Sequence, residues 1–424
     1  MYNKFLFVTL LAVAPLSWGQ TTLKGLTEAD VVRLAMERNE VSTITKNQIQ
    51  QAEYRLKKSR SNLFPTLKAN ASIQKFYILP EKRLPGGIRI DGAEFTLNQP
   101  LYTFGRLSSG VRLAELDKEV TINNAKATVA EIQKAAKALY YSAAFNKYLL
   151  QIAQESLRNA NNNKSALEDR VQFGRINQND NIKMQADVAS REPLLFEAQK
   201  GYQAALEDLS YFLDTDVAGI SDIDPKALEL TKEKTFVEKS SSSLVDVQNA
   251  AKQVEMAAAL ETVAKKDYLP TVSAFASYMT KNSDLGASIP GVLMVDTFVM
   301  GVRMDMEIPL GGAKTYEKRE KVLAKTNADL NLRRITREVD KKQKSLIQQY
   351  KHLSDKRKSL QNAIRLADRS YKVALASFKN GNVSQLQLND TEMQLTSNKI
   401  SSAQNLLAMK MIELDLERLQ TEGR

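Results

Sequence analysis

Apolar positions along this chain follow two different periods. Between about Arg106 and Phe173, Ile122, Val129, Ala136, Ala143, Leu150 and Leu157 form one sevenfold line. Ala125, Ile132, Leu139, Asn146, Ala153 and Ala160 form its companion, and only Asn146 among the twelve is polar. Apolar residues on such a double line predict a helix that packs knobs-into-holes against a partner. The same rule returns in Leu332, Val339, Leu346, Leu353, Leu360, Ala367 and Ala374, joined by Tyr350, Ile364, Tyr371 and Phe378. At a rise of about 1.5 Å per residue, a helix of about 67 residues is roughly 100 Å long, more than a single globular core can cover. Tyr140, Tyr141, Ala144, Phe145 and Tyr148 lie off the first seam and predict neighbours on two sides of that helix.

Other segments alternate with period two. In Val295–Pro309 the even positions Phe298, Met300, Val302, Met304, Met306 and Ile308 are apolar. The odd positions Thr297, Gly301, Arg303, Asp305 and Glu307 are mostly polar, so the segment reads as a two-faced strand about as long as a membrane crossing. Leu67, Ala69, Ala71, Ile73, Tyr77 and Leu79 give a second such face, Ala93, Phe95, Leu97 and Leu101 a third, and Val272, Ala274, Ala276 and Tyr278 a fourth. By alternation alone, a soluble sandwich and a membrane sheet fit equally well. On the membrane reading Phe298, Met300, Val302 and Met304 face lipid, while Arg303, Asp305 and Glu307 face a lumen.

The landmarks recur. Phe64-Pro65-Thr66 is echoed by Leu269-Pro270-Thr271, Gln99-Pro100-Leu101 by Ile308-Pro309-Leu310, and Gly174-Arg175-Ile176-Asn177 by Gly381-Asn382-Val383-Ser384. The order is kept and the offset is nearly constant, which marks an internal duplication. The expected organisation is a first repeat over 20–213, with strands near 66–79 and 91–101, a long helix near 106–173 and a return helix near 177–213. A linker over 214–243 follows, marked by Asp224-Pro225 and Ser240–Ser243. The second repeat covers 244–424, with strands near 271–280 and 295–309 and helices near 313–379 and 384–420.

Composition narrows the chemistry. With 17 Gly and 10 Pro in 424 residues, long regular elements are favoured over a loop-rich fold. No cysteine is present, and His352 is the single histidine, so thiolate sites and clusters of histidine metal ligands are excluded, and no carboxylate–His arrangement of a Ser/His/Asp triad is seen around it. Neither a G-x-x-x-x-G-K-[ST] phosphate loop nor a spaced ligand cluster occurs, so no enzyme activity, cofactor or metal is expected. The chain carries 60 Lys and Arg against 49 Asp and Glu, yet lacks a basic motif or aromatic platform for nucleic acid. Lys4, the apolar run Phe5–Leu16 and small residues at Ser17 and Gly19 predict a signal peptide over 1–19. No apolar run of about 18 residues follows, which disfavours a helical membrane span. Export tips the strands toward the membrane reading. Four strands alone cannot close a barrel in lipid, so copies must share one sheet.

Together these residues resemble the TolC-like outer-membrane efflux protein family. The resemblance rests on the strand end Gln99-Pro100-Leu101-Tyr102-Thr103-Phe104-Gly105-Arg106, on Ile308-Pro309-Leu310-Gly311-Gly312, on the Phe64-Pro65 and Leu269-Pro270 strand entries and on the two Gly turns. It implies a mainly α chain with membrane β: two tandem repeats of coiled-coil helices plus a strand pair. It also implies a homotrimer with a twelve-stranded outer-membrane barrel continued by a twelve-helix periplasmic tunnel. The implied partners are outer-membrane lipid, a periplasmic adaptor of the membrane fusion type and an inner-membrane transporter, with the chain as passive exit duct. At the implied periplasmic tip, Gly174 and Gly381 turn the hairpins and Asn177 and Ser384 follow them. Asp390 matches an acidic gate position, Gln387 stands where an aspartate is common, and Asp180 is placed to tie neighbouring hairpins. The rival readings are a secreted coiled-coil spacer without a pore and the adaptor itself. The first has no need of the stripe Phe298–Ile308, and the second requires a single hairpin interrupted by a lipoyl-like domain.

Overall fold

The computed structural model describes residues 26–76, 88–172, 178–216, 223–229, 234–283, 296–307 and 311–422. Its elements run α1 (Glu28–Arg38), α2 (Glu40–Ser61), β1 (Thr66–Phe76), β2 (Ile88–Tyr102), α3 (Arg106–Gln172) and α4 (Gln178–Phe212). After short 3-10 turns at Pro225–Leu228 and Ser241–Ser243 come α5 (Val245–Lys266), β3 (Thr271–Ser283), β4 (Thr297–Asp305), α6 (Ala313–Lys379) and α7 (Gln385–Leu419). Helices α2 and α5 are each 22 residues long, α3 and α6 are each 67, and α4 and α7 are each 35. Among the described residues no helix is long and apolar enough to cross a membrane. The expected signal peptide and the Gly174–Asn177 turn lie outside the described residues.

The chain divides into two compact units. The first takes the described parts of Met1–Asn39, Ala135–Glu233 and His352–Met411. Its heptad positions Ala136, Ala143, Leu150 and Ala160 are buried, as are Tyr140, Tyr141 and Ala144 beside the seam. Leu139 is half-buried. The polar exception, Asn146, fits because α4 offers a glycine opposite it: a Cβ at Gly201 would stand 3.2 Å from the Asn146 Oδ1. Helix α1 starts at a capping box in which Thr27 and Asp30 bond each other's backbone N–H. Its Glu28 then accepts from the Tyr141 hydroxyl at 2.6 Å and meets Lys137 at 3.1 Å. Burial pushes the Glu28 carboxyl up, but Tyr141 and Lys137 outweigh it and hold the group below its ordinary value.

The second unit comprises Glu40–Lys134, Lys234–Lys351 and the described part of Ile412–Arg424. It holds a four-stranded antiparallel sheet in the order β1-β2-β3-β4. Where strands hand over to helices, Asp267 pairs with Arg106 at 3.3 Å and Lys314 at 3.3 Å. The Lys314 ammonium also donates to the carbonyl of Glu307 at 3.2 Å. β4 covers Thr297–Asp305, and Glu307 lies beyond it with its carbonyl on a lysine rather than on a ladder; the expected strand end near 309 lies outside the described residues. Near the chain end, Arg418 on α7 pairs with Asp246 of α5 at 2.7 Å and with Glu131 of α3.

Candidate functional site: the sheet face and the helical turn

Register decides which side chains share a face of the sheet. β1 pairs Leu67 with Leu97 and Ala69 with Phe95; β2 pairs Leu97 with Ala276 and Phe95 with Tyr278; β3 pairs Ala276 with Met300 and Tyr278 with Phe298. Because side chains alternate along each strand, these rows lie on one face, and Ala274–Val302 and Val272–Met304 extend it. This apolar face is bare. Phe298, Met300, Val302 and Met304 are 63%, 74%, 66% and 67% exposed, and Leu67 and Ile73 are equally open. Soluble monomers rarely leave so many large apolar side chains contiguous and uncovered.

The opposite face carries Lys68, Asn70, Ser72, Thr96, Ser277, Arg303 and Asp305. Glu94 accepts from Thr96 and Ser277, each at 3.1 Å, and Arg303 donates to Asp305 at 2.9 Å while lying 5.4 Å over the Phe275 ring. Gly301 leaves that ring its space, since a Cβ there would stand 3.4 Å from it. Arg303 and Asp305 thus share the polar face, whereas the exposed Glu307 stands outside the strand.

At the turn between α6 and α7, Gly381 adopts φ +84. Asn382 N–H donates to the Ser377 carbonyl and Gly381 N–H to that of Phe378, both at 2.9 Å, which makes a Schellman closure with glycine at its left-handed position. Ser384 then opens α7. Its hydroxyl accepts from Gln387 N–H at 3.3 Å while the Gln387 side chain accepts from Ser384 N–H at 3.4 Å. Gln387 is therefore turned back into a capping box, a Ser-x-x-Gln signal visible in the sequence but not read from it. Below the turn Met184, Ala374, Phe378 and Leu388 form a small core. Asp390 is exposed on a stripe with Leu386, Met393, Gln394 and Ser397, opposite buried Leu388, Glu392 and Leu395. Asp180 falls in the first turn of α4, but its side chain, like Gly174 and Asn177, lies outside what is described.

A second polar cluster, which sequence reasoning missed, lies nearby. Arg191 of α4 pairs with Glu392 of α7 at 3.0 Å and with Asp187 at 3.0 Å, and donates to the Ser156 carbonyl of α3 at 3.0 Å. Asn159 donates to the same Glu392 at 3.2 Å. Arg191 and Glu392 are 8% and 2% exposed. Burial alone would lower the guanidinium, but Glu392 and Asp187 raise it and keep it charged. Together with Asp390 this cluster lines a cleft of about 880 Å³. Among the described residues no group of three or more Asp, Glu or His is placed to hold a metal ion.

A bare apolar sheet face with a polar reverse, mounted on long heptad helices, is the construction of membrane-channel chains. The chain belongs to the outer membrane efflux protein family, whose model matches residues 43–213 and 239–420. Solved structures share the fold at low identity. A CusC structure, described in terms of folding and transmembrane channel formation, is 17% identical with a TM-score of 0.80, covering 97% of this chain and 96% of that one. VceC of Vibrio cholerae is 15% identical with a TM-score of 0.76, covering 94% of this chain and 97% of that one. The CmeC outer membrane channel of Campylobacter jejuni is 15% identical with a TM-score of 0.76, covering 98% and 93%. No curated protein sequence matches the chain.

Proposed function

We propose that three copies of this chain close a twelve-stranded outer-membrane barrel, continued by twelve helices through the periplasm, and serve as a passive exit duct. The observation that carries this reading is the bare apolar face of an open sheet. Lipid tolerates that face but not unpaired edges, and β1 and β4 are the edges here. The helices of the same unit support the same closure. α3 is tied to both α2 and α5, through Arg55–Asp117 and Lys252–Glu119, and α6 is tied to α5 through Lys325–Glu261. The row thus ends on α2 and α6, the helices that adjoin the two edge strands, and a second copy extends sheet and helices together. The equal helix lengths of the two halves favour tandem repeats over 20–213 and 244–424, preceded by a signal peptide and separated by a linker. Energy and cargo choice come from an inner-membrane pump reached through a periplasmic adaptor at the helical tips. No catalytic step is assigned to the chain.

Phe298, Met300, Val302 and Met304 are the lipid face in this account, with Arg303 and Asp305 toward the lumen. Glu307 stands at the lumen's periplasmic rim. At the tip, the Gly381 turn and its Gly174 counterpart bring Asp390 of three copies together, with Asp180 and Asn177 placed between hairpins. Since Gln387 is a neutral amide, here capping α7 through Ser384, the ring holds one carboxylate per chain and binds multivalent cations weakly. Single-channel recording of the purified protein in a planar bilayer tests both levels. Discrete conductance steps are expected, blocked modestly by multivalent cations from the tip side, with the block reduced in Asp390→Ala. No conductance at all would favour a poreless spacer; an unchanged block in Asp390→Ala would make that residue an ordinary solvated acid.

A further inference from the structure

The positive charge of this chain is concentrated in one helix. α6 holds nineteen Lys and Arg against seven Asp and Glu, an excess of twelve, while the whole chain has an excess of eleven. The rest is nearly neutral. Within Arg333–Lys351, all inside the second unit, Arg333, Arg334, Arg337, Lys341, Lys342, Lys344 and Lys351 are every one exposed. Within this set Arg334 pairs with Glu338, at 2.6 Å. Arg333, Arg337, Lys341, Lys344 and Lys351 follow one another at helical spacing on the side opposite the buried Val339, Gln343, Leu346 and Tyr350. Asp340 is the one acid in this arc, so the stripe keeps an excess of four positive charges and is a standing positive potential rather than a self-satisfied network.

We propose that this stripe docks a carboxylate-bearing polymer, the peptidoglycan that surrounds a periplasmic shaft. The proposal rests on the outer-membrane and periplasmic placement above. The stripe extends roughly 27 Å along the helix, which suits an extended polyanion presenting repeated carboxylates rather than a single small ion. A second copy of this chain does not satisfy the stripe: α2, the helix that the closure above sets beside α6, is itself basic, with Lys46, Arg55, Lys57, Lys58 and Arg60 against Glu40 and Glu53, so it adds no counter-charge there. A membrane surface is also disfavoured, because a helix lying on lipid buries large apolar side chains, and residues 331–351 expose none. The contact is electrostatic and reversible, and holds the duct in register with the cell wall without closing it.

Co-sedimentation of the purified native oligomer with isolated peptidoglycan sacculi tests this. The protein is expected to pellet at low salt and to be released on going from about 0.05 M to about 0.5 M salt, as exposed charges are screened. Arg337→Glu/Lys344→Glu/Lys351→Glu should weaken binding roughly tenfold or more, whereas Lys57→Glu/Lys58→Glu on α2 should leave it within about twofold. Equal pelleting of the triple variant and the parent would overturn the proposal. So would capture of the parent by phosphatidylglycerol vesicles but not by sacculi. Bilayer conductance of the same samples separates the two readings: a triple variant that conducts but does not pellet leaves the duct intact and locates the wall contact on α6. A parent that conducts but never pellets removes the wall contact alone.

Discussion

Arg191→Ala is expected to destabilise the first unit by about 3–5 kcal/mol, the usual cost of breaking a buried ion pair from one side. The guanidinium is what three helices share. It pairs with Glu392 and Asp187 at 3.0 Å each and reaches the Ser156 carbonyl at 3.0 Å. Glu392 is 2% exposed, so removing its cation leaves a buried carboxylate without its counter-charge. Thermal unfolding of the detergent-solubilised protein, with hydrogen exchange followed in α4 and α7, measures the effect. The paired change Arg191→Met/Glu392→Leu should be milder than the single change, because it also removes the carboxylate that the single change leaves buried without its cation. A single variant that melts with the parent would show that the cluster contributes nothing net.

Val302→Arg is expected to cost roughly 2–4 kcal/mol of insertion free energy, the penalty for a cation at midplane on a barrel's lipid face. Val302 is 66% exposed between Met300 and Met304 and pairs across the ladder with Ala274. Arg303, one position on, points to the other face and already has Asp305 as partner at 2.9 Å. The fraction of protein recovered folded in outer membranes should fall sharply for Val302→Arg and stay near the parent for Arg303→Ala. The reverse outcome would exchange the lipid and lumen faces.

Much of the fold was legible because each element is dictated locally. The heptad lines span the long helices, and the described parts of the period-two segments lie in strands at Thr66–Phe76, Ile88–Tyr102, Thr271–Ser283 and Thr297–Asp305, except Met306 just past the last of them, while Tyr77, Leu79 and Ile308 lie outside the described residues. Gly381 marked its turn because only a left-handed residue closes it. Other features were not legible. α1 and α2 part at Asn39, which adopts ψ 126 without glycine or proline to signal it. Pro193 sits inside α4, where its missing N–H leaves the exposed Ala189 carbonyl to water. The Arg191–Glu392 pair joins residues from different helices, so neither has a local motif. The capping role of Gln387 did have one, and the gate reading displaced it.

On the proposed closure, this sheet is one third of a closed ring. The most direct test of that closure uses the absence of cysteine from the chain, which makes cross-linking free of background. One cysteine at Asn70 on β1 is combined in turn with one at Val299, Gly301 or Arg303 on β4, all on the polar face. Oxidation in isolated outer membranes should give covalent dimers and trimers, and no larger ladder, at one of these registers. Monomer alone at every register, in protein that is folded and membrane-bound, would contradict edge-to-edge closure by copies of the chain.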